Sequence, residues 1–244
     1  MPASAPTVLA TSTGFDSRGR GPLDWAPGPV FDLAVELAGA PRQPRLCFLG
    51  TAAGDDPAQL AAVYGAFAGS AVRVSHLALF PMPTVADVRA HLLAQDVVWV
   101  GGGSVANLLA VWRVHGLDAV FREAWAAGVV LGGVSAGSLC WHAGGTTDSF
   151  GPELRPVTDG LGLIPTSNGV HHDSEAARRP LYHRLVADGT LPPGHATDDG
   201  AGLVYRGTEL VEVVADRPGA AAHRVDRGPD GTAVETRLEP RRLR

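Results

Sequence analysis

The sequence predicts an α/β fold: a doubly wound, mostly parallel sheet with helices on both faces and a C-terminal antiparallel β extension. Three observations predict it. Short apolar, β-branched runs recur, each followed by glycine or by a helical pattern. These runs are apolar throughout, as expected of strands covered on both faces, and do not alternate. Strand and helix patterns also alternate over the first two-thirds of the chain, which is how parallel strands joined by crossover helices read.

The strands predicted in this part are Thr7–Thr11 (TVLAT), Arg45–Gly50 (RLCFLG), Val72–Leu79, Asp96–Val100 (DVVWV) and Gly128–Gly133 (GVVLGG). Between them, 30–38 carries apolar residues at helical spacing. A helix over 57–68 begins with Pro57 after Asp56, a good first helical position. The segment 84–93 opens with TVAD, a short form of the capping box. Helical patterns 104–114 and 117–127 follow the fourth strand. After a further helix near 179–188, strand-like segments crowd together at 202–205, 209–215, 221–226 and 232–237, with Gly207 and Gly231 marking turns. The 244 residues are read as a single domain, with 216–244 as an edge hairpin and a solvated basic tail (EPRRLR).

Composition excludes several function classes. The chain carries 20 basic and 25 acidic residues, a net charge of −5, which argues against a nucleic-acid binder or an anionic-membrane binder. Every basic residue is arginine. Without lysine there is no Schiff-base or pyridoxal-phosphate chemistry, no P-loop lysine and no kinase strand lysine. Cys47 and Cys140 stand far apart in apolar runs, neither a disulfide framework nor a CxxC site, so a reducing compartment is expected. No apolar stretch is long enough to span a membrane, and the N-terminus does not read as a signal peptide. The location expected is the cytoplasm.

The strongest local signal is Gly133-Val134-Ser135-Ala136-Gly137, a GxSxG pentapeptide between an apolar strand and a plausible helix (SLCWHA). A strand turning sharply into a helix forces its central residue into a strained conformation, and small neighbours let the chain pass close to itself. The Ser135 hydroxyl then projects at the carboxyl end of the sheet, where open α/β sheets bind ligands. The N–H of Ala136 is placed to stabilise an oxyanion. A second cluster, Gly101-Gly102-Gly103-Ser104, closes the fourth strand, and the N–H of Gly103 is the candidate second donor. The same cluster fails as a dinucleotide fingerprint, because alanine stands at 106.

A serine nucleophile needs a base, usually histidine, oriented by a carboxylate. His76, His91 and His115 fall on strand and helix patterns, and His142 is expected on the elbow helix, facing away from Ser135. The pair His171-His172 follows a short strand (PTSNGV), in the kind of loop where catalytic groups sit. Two carboxylate positions remain open: Asp148, shortly after the elbow helix, and Asp198-Asp199 before Gly200. A metal set of His171, His172, Asp173 and Asp198 is disfavoured, since adjacent histidines on an extended chain diverge and no HExxH spacing is present. A true α/β-hydrolase is also disfavoured: its final histidine lies near the C-terminus, where only His223 stands, in a hairpin-like stretch.

Taken together these residues resemble the peptidase E (aspartyl dipeptidase) serine peptidases, a family related to the cyanophycinases. The resemblance rests on Gly14-Phe15 after the first strand, Gly101 to Ser104, the elbow Gly133 to Gly137 with Ser138, Val170-His171-His172-Asp173, and Asp198-Asp199-Gly200, in that order over roughly 7–215. It implies a flavodoxin-like sheet of the class I glutamine amidotransferase kind. It also implies Ser135 as nucleophile, His171 as base and Asp199 as third member, with Asp148 the alternative acid, and an oxyanion hole from Gly103 and Ala136. The activity implied is that of a serine exopeptidase cleaving dipeptides or short peptides, with no metal and no cofactor. A small peptide would be its partner, and a homo-oligomer is compatible with this. In the aspartyl dipeptidases an arginine after the histidine holds the substrate aspartate. Arg178 and Arg179 are the nearby candidates, but their spacing departs from the pattern, and Val170 stands where the family commonly has proline. The alternatives are a cyanophycinase-like isopeptidase, an esterase on the same scaffold, or a non-catalytic binding protein.

Overall fold

The apolar run Thr7–Thr11 forms strand β1, buried along its whole length because neighbouring strands close on both of its edges. The computed structural model describes residues 3–244. After β1, a small hairpin of β2 (Phe15–Ser17) and β3 (Trp25–Pro27) leads into helix α1 (Pro29–Leu37). Alternation then follows as expected: β4 (Arg45–Leu49), a 3-10 turn at Thr51–Ala53, α2 (Pro57–Ala66), β5 (Arg73–His76), α3 (Val88–Leu93), β6 (Val97–Val100), α4 (Val105–Val114), α5 (Leu117–Ala126) and β7 (Val130–Val134). The side chains of Asp56, Asp87 and Ser104 accept backbone N–H bonds at the starts of α2, α3 and α4. Each thereby satisfies a donor that the first helical turn leaves without a partner. The TVAD segment does not open α3: Thr84 instead accepts the N–H of Ala78 through its hydroxyl, and Asp87 takes over as the cap.

The remainder of the chain comprises α6 (Ala136–Leu139), β8 (His142–Thr147), β9 (Arg155–Val157), β10 (Ile164–Gly169), α7 (Arg178–Ala187), β11 (Gly194–Thr197), β12 (Ala201–Arg206), β13 (Glu209–Ala215), β14 (Ala222–Arg227), β15 (Ala233–Leu238) and β16 (Arg241–Arg242). An eight-stranded sheet has the order β16-β13-β12-β1-β7-β6-β4-β5. Its five strands from β1 to β5 are parallel, while β12 and β13 extend it antiparallel beyond β1. Successive residues point to opposite faces. Leu9, Phe48 and Trp99 meet Phe31 of α1 and Phe67 beyond α2 on one face. Val8, Leu49 and Val100 meet Trp112 of α4 and Phe121 of α5 on the other. Burying each such side chain is worth roughly 1.5–3 kcal/mol, so both helical layers are held by the same strands.

Three expectations are corrected. The elbow helix is a single turn, and His142 lies on β8, not on a helix; there its Nδ1–H donates to the Ser138 carbonyl at 3.0 Å. The segment after the elbow pairs with β10 and β9 in a second sheet of order β15-β14-β11-β10-β8-β9. The hairpin β14/β15 belongs to that second sheet, bonded to β11, and does not extend the edge of the first. Finally, the Arg-rich end is not a free tail. β16 pairs with β13, Arg241 forms an ion pair with Glu212, and Leu243 is buried in the α1-side core. No helix among the described residues is long and apolar enough to cross a membrane.

Candidate active site

At the carboxyl end of β7 the chain reverses within one residue. Ser135 adopts φ 58° and ψ −114°, outside the usual regions for a residue with a side chain. Such a conformation costs on the order of 1–3 kcal/mol and persists only where the surroundings enforce it. They do: Ser135 N–H donates to the Thr11 carbonyl at 3.0 Å, and its own carbonyl accepts the N–H groups of Ser138 and Leu139. The elbow glycines are dictated by contact. A Cβ on Gly137 would stand 2.2 Å from the Val100 carbonyl oxygen, and one on Gly133 would stand 2.4 Å from that of Gly137. Ala136 is the first residue of the short α6. Gly103 has φ +135°, with the Ala52 carbonyl oxygen where its Cβ would be.

His171 follows β10 and is also in a left-handed conformation, φ 55°. Its backbone N–H donates to Ser12 Oγ at 3.1 Å, which ties the loop to the end of β1. Its Nδ1 lies 2.5 Å from Asp199 Oδ1. A carboxylate can only accept, so Nδ1 carries the proton and Nε2 is left as the basic nitrogen. Burial pushes the Asp199 carboxyl up, but hydrogen bonds from His171 and Ser174 outweigh it and hold the group below its ordinary value. Asp199 N–H donates to Asp173 Oδ1 at 2.8 Å, and Arg217 pairs with the other oxygen of Asp173. The acid is thus anchored from two directions.

Ser135 and His171 line one cavity of about 300 Å³ together with Gly103, Asp148 and Arg178. His171 and Asp199 also line a larger cavity of about 550 Å³, walled by Trp25 and Trp99 and carrying Asp16 and Asp216. Burial, then the charge of Asp216, raises the Asp16 carboxyl above its ordinary value. Thr13 donates its hydroxyl hydrogen to Asp216.

The structure therefore gathers Ser135, His171, Gly103, Asp148 and Arg178 around one cavity, with Asp199 on His171. Asp148 lies 3.9 Å from Arg178, and it is Asp199 that contacts the imidazole. Arg178 is buried, with its guanidinium donating to Glu175 and to the Thr146 carbonyl. Arg179 is drawn away to Glu235. Sequence reading passed over Ser12, Thr13, Asp16 and Asp216. Their only local signal is position: Ser12 and Thr13 just past β1, Asp16 on β2 and Asp216 just past β13.

The family model of peptidase family S51 matches residues 29–213. The chain belongs to peptidase family S51. A Bacillus subtilis (strain 168) protein, the uncharacterized peptidase YgaJ, is 44% identical over 183 residues, covering 75% of this chain and 78% of its own. Two solved structures share the fold at 17% identity. One is a candidate peptidase E protein from Listeria monocytogenes EGD-e, with a TM-score of 0.60 over 97% of this chain and 100% of that one. The other is a peptidase from an acI-B1 Actinobacterium, with a TM-score of 0.64 over 97% and 95%. The protein is accordingly a peptidase, and its fold is that of the peptidase E structures. Within this S51 chain, Ser135, His171 and Asp199 all fall inside the matched segment, whereas Asp16 and Asp216 lie outside it.

Proposed function

We propose that this S51 peptidase is a serine exopeptidase that cleaves dipeptides or short peptides through Ser135, His171 and Asp199. The observation that carries the reading is the 2.5 Å contact from His171 Nδ1 to Asp199, which leaves Nε2 basic beside a cavity shared with the strained Ser135. In this mechanism Nε2 takes the Ser135 proton as Oγ attacks the scissile carbonyl. The tetrahedral oxyanion is held by the N–H groups of Gly103 and Ala136, an arrangement in which each donor typically contributes about 2.7–4 kcal/mol. His171 then gives its proton to the leaving amine, and water hydrolyses the acyl-enzyme by the same route in reverse.

An exopeptidase must also recognise a free terminus. Two carboxylates facing one cavity repel each other unless a proton or a cation lies between them. Asp16 and Asp216 therefore suit the α-ammonium of the substrate, with the aromatic wall beside it. Strict selection of an N-terminal aspartate is not part of the proposal, because Arg178 and Arg179 already have carboxylate partners. The two free, buried cysteines fit a reducing compartment such as the cytoplasm.

The decisive experiment pairs activity with labelling. Wild-type protein should hydrolyse members of a panel of α-dipeptides and react with a fluorophosphonate probe at Ser135. Ser135→Ala should lose turnover by roughly 10⁶-fold, as when other serine peptidases lose the nucleophile, and should not label, with its melting temperature unchanged. Equal turnover by the variant sinks the proposal. Hydrolysis confined to β-aspartyl dipeptides or to simple esters would replace it with an isopeptidase or an esterase, and inertness to probe and panel alike with a binding protein.

A further inference from the structure

Behind the His171–Asp199 pair, and lining neither cavity, four side chains from three elements and a loop converge. They are His172 after β10, His183 on α7, His223 on β14 and Glu235 on β15. His172 Nε2 and His183 Nε2 lie 2.8 Å and 2.6 Å from the same oxygen, Glu235 Oε2, and these three ligand atoms all fall within 4.8 Å of one another. His223 adds a second observation. Its Nε2 faces Asp198 Oδ1 at 3.1 Å, so the proton sits there and Nδ1 carries a lone pair. That Nδ1 lies 3.2 Å from Glu235 Oε1 and makes no hydrogen bond, although the His223 side chain is more than nine-tenths buried. Arg179 donates to that same Oε1, so the carboxylate oxygen is satisfied while the buried Nδ1 lone pair is not, and an unpaired polar atom in the interior is costly unless a donor or a cation meets it.

We propose that His172, His183, His223 and Glu235 form a binding site for a divalent transition-metal ion of the zinc class. Three imidazoles and one carboxylate are a ligand set such ions favour, with bonds of about 2.0–2.2 Å. Tetrahedral ligands at that bond length stand roughly 3.3 Å apart, so the Glu235 contacts need to open by less than about an ångström. Imidazoles sharing one such ion have ring centres roughly 5 Å apart; here they are 5.1 Å for His172 and His223 and 6.0 Å for His172 and His183. Asp198 supplies the outer carboxylate that commonly fixes the orientation of a ligating histidine. Arg179 takes the Glu235 oxygen facing away from His172 and His183, a nearby positive charge that the Glu235 and Asp198 carboxylates offset.

The site would clamp the hairpin β14/β15 and helix α7 onto the two segments that carry the neighbouring His171 and Asp199. It supplies no step of the peptidase mechanism, and its test does not depend on activity. Full-length protein purified without a polyhistidine tag and dialysed against zinc should retain one ion per chain by elemental analysis, and zinc should raise the melting temperature by about 5–10 °C. Cobalt in its place should give the intense visible bands of a tetrahedral centre. His183→Ala, at a half-exposed position on α7, and Glu235→Gln should each lower retention at least tenfold. For both, far-UV circular dichroism verifies the fold. Wild-type protein that retains no more zinc than His183→Ala and shows no thermal shift overturns the proposal. Zinc retained equally by wild type and both folded variants overturns it too, by placing the ion elsewhere.

Discussion

Ser135 at φ 58° and His171 at φ 55° are strained in the same sense, each at the end of a strand, and each is held there by a bond to the segment leaving β1. Both residues line the same cavity, and strain of this kind fixes backbone geometry before any ligand arrives. Asp199 completes the arrangement at the imidazole, whereas Asp148 faces Arg178. Asp199→Asn should therefore lower kcat by about 10⁴-fold, through loss of the tautomer that leaves Nε2 basic, and Asp148→Asn should lower it less than tenfold. Steady-state kinetics on one good dipeptide compares them directly. At Asp16 the expected effect lies in recognition. Asp16→Asn should cut kcat/KM for free dipeptides by roughly 10–100-fold, the worth of a hydrogen bond to a charged group, and narrow the preference over N-acetyl counterparts. An unchanged preference would remove Asp16 from amine binding.

Among the elements, the elbow was the most legible, because its spacing reports a steric constraint that side-chain chemistry cannot disguise. Gly137→Ala tests that constraint: its Cβ would meet backbone, which cannot rotate away. The variant should lose about 3 kcal/mol or more, lowering the melting temperature by roughly 6–12 °C. A loss under 2 °C would mean that the turn is looser than the contact implies. The parallel strands were legible because two-sided burial leaves continuous apolar runs, and the helices α1, α2, α4 and α5 because apolar residues recur at helical spacing or a start signal such as Asp56-Pro57 opens them. Strands β8, β9 and β11 were not. HAGGTT and GHAT are short and rich in glycine and threonine, and tertiary pairing makes them strands, β8 between β9 and β10 and β11 between β10 and β14. The same holds for β16, whose two arginines carry no strand signal and are placed by pairing with β13.

For the whole molecule, packing two sheets together buries polar groups whose cost appears as acid sensitivity. His142 is fully buried between the elbow turn and Tyr205, and burial drives its imidazole down to about 3. His195, on β11 of the same sheet, is lowered to about 4 by burial first and then by the charge of Arg224. An unfolded chain protonates both near pH 6.5, so below that value the unfolded state binds more protons. Stability is then full above about pH 6.5 and falls as pH drops toward the folded values, at about 1.4 kcal/mol per pH unit for each group. His142→Asn should show a shallower fall in melting temperature between pH 6.5 and pH 4 than wild type, and parallel curves would refute this account. The residue pattern by itself determined the doubly wound sheet, the elbow at Ser135 and the histidine–acid candidates, because hydrophobic runs and tight glycine contacts are local in the chain. Only the tertiary structure decided that Asp199 meets His171, that Asp16 and Asp216 share a cavity, and that three histidines converge on Glu235. Each of those meetings joins segments distant in sequence, and the pairing of strands within the two sheets and the packing of α7 on them set the approach of such segments.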